Sequence, residues 1–96
     1  MNEVNFSEIR DRLSEAALYE GLAEEATELA KEALKVARIL RGESPTPVTL
    51  GEACSNVREE YTDVELYAAI VGLSVNFEQM MRKSERWVER LKKREK

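Results

Sequence analysis

Both prolines of this 96-residue chain fall in one short segment, Arg41-Gly42-Glu43-Ser44-Pro45-Thr46-Pro47-Val48. Proline breaks helix interiors and cannot donate to a sheet ladder, so this segment is a loop and the stretches on either side are free to be regular. In those stretches the apolar residues recur every three or four positions, the helical period, and the alternation that marks a half-buried strand is almost absent. The expected fold is all-α: one domain, residues 1–96, built as a small bundle of about four helices.

The same period places the elements. A first helix begins after Asn5 or Ser7 and carries Ile9, Leu13 and Ala17 inward. Gly21 either bends the chain before a second helix or is tolerated within it. That second helix runs to about Arg41 on the stripe Leu22, Ala26, Leu29, Ala33, Val36 and Leu40, with Gly42 placed to end it. A third helix starts at Thr49, with Glu52 at the capping-box position, and stops near Gly72. Its stripe is Leu50, Ala53, Val57, Val64, Ala68 and Val71. Ser74 is expected to cap a fourth helix bearing Phe77, Met81, Ser84, Val88 and Leu91, with Met80 and Trp87 alongside.

Composition narrows the chemistry. There is no histidine, which excludes a Ser-His-Asp triad, a histidine base and any histidine metal site. The one cysteine, Cys54, excludes a disulfide framework and a thiolate zinc site, and is expected as a small buried residue. Carboxylates, lysines, arginines and hydroxyls remain, and these suit hard cations and phosphates. The N-terminal MNEVNFSEIRDRL lacks the apolar region of a signal peptide, and the longest charge-free stretch, Leu66 to Phe77, is too short to span a bilayer. No membrane partner is expected, and the cytoplasm is the expected location. The net charge of −4 is unevenly spread: residues 82–96 hold eight Lys/Arg against three Glu, and residues 1–81 hold seven basic against sixteen acidic side chains. A basic helix end on an acidic body is a poor pointer to nucleic acid, which is not expected as a partner.

The acidic residues of the second and third helices sit where a merely folded chain would not put them. Glu60 falls near the centre of the third helix's apolar stripe, between Val57 and Val64, with Asp63 about 60° to one side at 100° per residue. Glu25 and Glu32 border the stripe of the second helix, and Glu28 lies next to them. Glu24 and Glu28, Glu28 and Glu32, and Glu59 and Asp63 are like-charged neighbours four apart, each mildly destabilising. Solvated pairs such as Glu28 with Lys31 and Glu32 with Lys35 account for part of this pattern, but not for Glu60. Two helices that each bring carboxylates to the face they bury are reconciled by a bound cation. Oxygen-only ligands favour Mg²⁺, with Mn²⁺ as substitute, and magnesium bound in this way completes its shell with water and substrate phosphate.

These residues carry a family resemblance. Glu24-Glu25-Ala26-Thr27-Glu28-Leu29 followed by Glu59-Glu60-Tyr61-Thr62-Asp63-Val64 resembles the ExxE…ExxD signature of the MazG-like, all-α nucleoside triphosphate pyrophosphohydrolases. Leu22–Leu40, the proline-containing loop, Leu50–Leu73 and the closing Lys83-Ser84-Glu85-Arg86-Trp87 resemble its small, phage-type members, so the likeness covers about residues 18–91. The resemblance implies a magnesium-dependent hydrolase that cleaves the α–β phosphoanhydride of an NTP or dNTP to monophosphate and pyrophosphate. Glu25 and Glu28 match the first carboxylate pair, and Glu60 and Asp63 the second. These four would hold metal, or one of them would orient the attacking water. Asn76, Lys83 and Arg86 match positions that hold the nucleotide; Glu32 matches no position with a role in the family and is only a candidate supporting group behind the four. The resemblance also implies a homodimer or homotetramer with the site near the subunit interface. Two readings compete with it: a non-catalytic helical protein–protein interaction module with an acidic face, and a relative that binds nucleotide or metal without turnover. A Glu60 exposed and paired with lysine would favour the interaction module. Convergence of Glu25, Glu28, Glu60 and Asp63 would favour the hydrolase.

Overall fold

A computed structural model of the chain describes residues 5–43 and 47–95, and within them four helices follow one another: α1 (Phe6–Arg12), α2 (Glu15–Arg41), α3 (Leu50–Ile70) and α4 (Phe77–Arg94). There is no strand among the described residues, and the fold is the all-α one expected. Of the proline-containing loop, Ser44, Pro45 and Thr46 lie outside the described residues.

α1 is shorter than the periodicity suggests. Leu13 is extended (φ −123°, ψ 145°) and Ser14 caps α2, its hydroxyl accepting from the Ala17 N–H at 3.0 Å. The cap satisfies a donor that a continuous helix would have used, so Leu13 stays 44% exposed and Ala17 joins α2. Seven residues cannot hold a helix unaided. Arg10 anchors it by donating Nε and Nη2 to the Ile70 carbonyl at 3.2 and 3.0 Å. The last turn of α3 has no basic residue of its own, so Arg10 also brings a cation to that carbonyl end.

α2 passes through Gly21 without interruption. Gly21 is buried, and a Cβ there would meet the Tyr67 ring, 2.7 Å from its Oη. The glycine is therefore a close-approach point between helices rather than a break. Gly42, at φ 67°, ends α2 with its N–H donating to the Ile39 carbonyl while the Glu43 N–H donates to that of Arg38. Thr49 caps α3 as expected, accepting from the Glu52 N–H at 3.1 Å and donating to Glu52 Oε1 at 3.2 Å.

α2 and α3 form an antiparallel hairpin whose register is read from three meeting points. Gly21 faces Tyr67, Glu25 faces Glu60 and Asp63, and Ala33 with Val36 faces Cys54 with Val57. Leu18, Ala53 and Ile70 are buried, and Leu22, Leu29, Val36, Val57, Val64 and Ala68 are half-buried. Ala26, Ala33 and Leu40, expected in the stripe of α2, are exposed, and so are Leu50 and Cys54 on α3. A two-helix layer covers only the strip along its contact line; the flanks of both stripes have no third element on them.

α4 starts at Asn76 rather than Ser74, the Asn76 side chain accepting from the Gln79 N–H at 3.0 Å. Every described residue from Gly72 to Glu95 is exposed, including Phe77, Met80, Met81, Trp87, Val88 and Leu91. No helix among the described residues is long and apolar enough to cross a membrane.

Candidate carboxylate site

The antiparallel register brings one carboxylate of α2 against two of α3. Glu25, Glu60 and Asp63 each offer an oxygen within 4.8 Å of the others. Glu60 and Asp63 share a face because they lie three apart on one helix. Glu25 reaches them because the Gly21–Tyr67 contact, one turn away on both helices, lets the backbones come close. All three residues are half-buried, and among the described residues none forms an ion pair with lysine or arginine.

Glu60 registers this environment. Partial burial, a hydrogen bond with Glu25, and the negative charges of Glu25, Asp63 and Glu28 hold its carboxyl above the ordinary value of 4.5. A cation between the carboxylates would offset their mutual repulsion, and an all-oxygen donor set suits hard cations as a class.

Glu28 stands outside the triad. It is exposed and pairs with Lys31 Nζ at 3.3 Å, a solvated pair on the helix surface, although its charge still reaches Glu60. Glu32, one further turn along α2, gives Oε1 to Lys35 Nζ at 3.2 Å, and its Oε2 is buried with no hydrogen-bond partner among the described residues. Tyr67 is half-buried in the helix interface, its ring against Gly21. Tyr61 is exposed and donates its hydroxyl to Glu65, whose carboxylate raises the phenol above its ordinary 10.0.

Asn76, Lys83 and Arg86 lie elsewhere. With Met80, Trp87 and Arg90 they line an open hollow of 790 Å³ along α4, and none of the carboxylates contributes to its lining. The Asn76 side-chain oxygen is already engaged as the helix cap. The feature that sequence reasoning missed is the Gly21–Tyr67 contact. Its signal was a glycine four residues before Glu25 and a tyrosine four residues after Asp63. In comparisons with known proteins the chain matches no protein-family model, no curated protein and no solved structure.

Proposed function

We propose that this chain is a magnesium-dependent nucleoside triphosphate pyrophosphohydrolase of the MazG-like kind, acting on an NTP or dNTP as a cytoplasmic homodimer or homotetramer. The observation supporting this is the meeting of Glu25, Glu60 and Asp63 from two helices without a basic partner among the described residues. A solvated acidic surface gains nothing from such a meeting; a cation site requires it.

Glu25, Glu60 and Asp63 would hold the metal. Bound magnesium supplies neutralisation of charge on the phosphate oxygens and activation of water. We assign to Glu28, at the exposed rim, the orientation of the attacking water and acceptance of its proton on a carboxylate oxygen. Water then adds to the α-phosphorus, the bond from that phosphorus to the bridging oxygen breaks, and pyrophosphate leaves with that oxygen. The half-buried setting of the carboxylates limits competing solvent. Asn76, Lys83 and Arg86 would hold the nucleotide from α4, the two cations against its phosphates.

Product analysis with a panel of canonical and modified NTPs and dNTPs, in Mg²⁺ and then Mn²⁺, tests the reading. Monophosphate and pyrophosphate that disappear in Glu60→Gln support it. Absence of turnover across the panel overturns the hydrolase. The non-catalytic interaction module would then take its place, a reading that draws on the wholly exposed α4.

A further inference from the structure

The residues of α4 are sorted around the helix axis by their chemistry. At 100° per residue, Phe77, Met80, Met81, Trp87, Val88 and Leu91 fall within an arc about 120° wide. A second arc of about 120°, beginning beside Trp87, holds Arg82, Lys83, Arg86, Arg90, Lys93 and Arg94 and no acid. The three glutamates of α4, Glu78, Glu85 and Glu89, are confined to about 40° on the far flank. Among the described residues no cation of α4 forms an ion pair. A helix solvated all round gains by mixing its charges in i,i+4 pairs, not by sorting them.

The apolar arc is open to solvent, with Phe77 75% and Trp87 62% exposed. Ser84, the polar residue inside the arc, donates its hydroxyl to the Met81 carbonyl at 2.7 Å, so its proton needs no water if the arc is covered. Trp87 stands at the edge of the arc, against the basic sector, rather than at its centre. A helix seated in a protein groove sets its main anchors near the centre of the buried strip. An indole at the border of apolar and charged sectors suits a bilayer interface, its ring among acyl chains and its N–H toward headgroups.

We infer that α4 is an interfacial helix that lays its apolar arc on an anionic phospholipid surface. With the arc facing the acyl chains, Lys83 and Arg94 come to headgroup depth on one flank and Lys92 on the other, each with its apolar stem along the boundary. The net charge of α4, seven Lys/Arg against three Glu, selects anionic over neutral lipid. A helix lying in the interface plane needs no spanning length, so the lack of a spanning helix among the described residues does not bear on it. Residues 1–81 carry net −9, and such a body has to stand off from an anionic surface. α4 is exposed along its whole described length and joined to α3 through the exposed residues 72–76, so it reaches a surface while the body stays in water, where charges beyond about 8 Å are screened. The inference does not rest on the carboxylate site, and its test does not read hydrolysis.

Trp87 is the one tryptophan of the chain, so its fluorescence reports on α4. The full chain is mixed with vesicles of phosphatidylcholine alone, or with phosphatidylglycerol added, at low and high salt. Anionic vesicles are expected to sediment the protein, shift Trp87 emission to the blue and shield it from acrylamide. Binding to phosphatidylcholine alone should be about a hundredfold weaker, and salt should weaken the anionic case. Val88→Glu, in the exposed arc, should lose vesicle binding with an unchanged melt. Arg90→Gln combined with Arg94→Gln should lose roughly thirtyfold on anionic vesicles. No binding to anionic vesicles overturns the inference, as does equal binding to both kinds or full binding by Val88→Glu. A Trp87 already blue-shifted and shielded without vesicles would mean that protein covers α4, and also overturns it. A shift with poly-glutamate and none with vesicles would assign α4 to an acidic protein instead.

Discussion

The ring of Tyr67 on α3 rests against Gly21 on α2, at a point where no Cβ would fit, and one turn along each helix from this contact lie Asp63 and Glu25. The smallest residue and a large aromatic thus set the separation of the two helices beside the carboxylates. The spacing of the site is a packing property of its neighbours, and substitutions at Gly21 should be felt at Glu25.

In Gly21→Ala the Tyr67 ring has to swing away. Alanine gains about 1 kcal/mol of helix propensity over glycine, but overpacking of this kind costs about 1–3 kcal/mol. The variant is expected to melt below the parent and to show a smaller Mg²⁺-induced rise in Tm. Gly51→Ala, whose Cβ would meet only Thr49 Oγ1 at 3.9 Å, is expected to gain about 0.5–1 kcal/mol. Thermal melts of the pair decide it: equal shifts in both would remove the close-approach account.

Glu60→Gln removes the carboxyl held above its ordinary value. A carboxyl whose pKa is raised on folding binds its proton more tightly in the native state, so its ionisation destabilises the fold as pH rises through 4.5 and beyond. The metal-free parent should therefore lose stability between about pH 4.5 and neutrality relative to Glu60→Gln, with the two converging at lower pH. Hydrolysis should fall by about a hundredfold or more, the scale on which removal of one catalytic electrostatic group acts. Denaturant melts across that pH range, without metal, are the check; a variant less stable at pH 7 would contradict the clustered carboxylates.

Arg10 holds α1 to the end of α3 through two hydrogen bonds to one carbonyl. Hydrogen bonds from charged groups contribute about 1.5–3 kcal/mol, and Arg10→Ala should lose about that much while freeing α1. Arg10→Lys keeps the charge but loses the fork, and should fall between the two. Hydrogen exchange at residues 6–12 reads the release directly, with exchange in mid-α2 unchanged.

Thr49→Ala removes an N-cap that both accepts from and donates to Glu52. A loss of about 1 kcal/mol is expected, recovered for the most part by Thr49→Ser. Chemical denaturation of the three proteins measures it.

Much of the helical fold was legible because its signals are local. Thr49 with Glu52, Gly42 and the loop prolines mark ends by chemistry that acts within one turn, and the α2–α3 hairpin follows from them. The end of α1 was misread because Leu13 and Ala17 continue an apolar period that the Ser14 cap interrupts. The start of α4 was misread because Ser74 and Asn76 are both competent caps, and only the backbone chooses between them. Cys54 and Ala33 were expected inside because a stripe has no way of stating how wide a partner will cover it.

For the site, the sequence alone determined that carboxylates would lie on two facing helices, since Glu60 interrupts an apolar stripe at the helical period. Only the tertiary structure decided which carboxylates meet. Glu25 joins Glu60 and Asp63, while Glu28, three residues further on, turns to Lys31 at the surface. The physical reason is that helical periodicity fixes the face of each residue on its own helix. The depth and register of contact between helices depend on packing across the interface, here on a glycine that lets a tyrosine in.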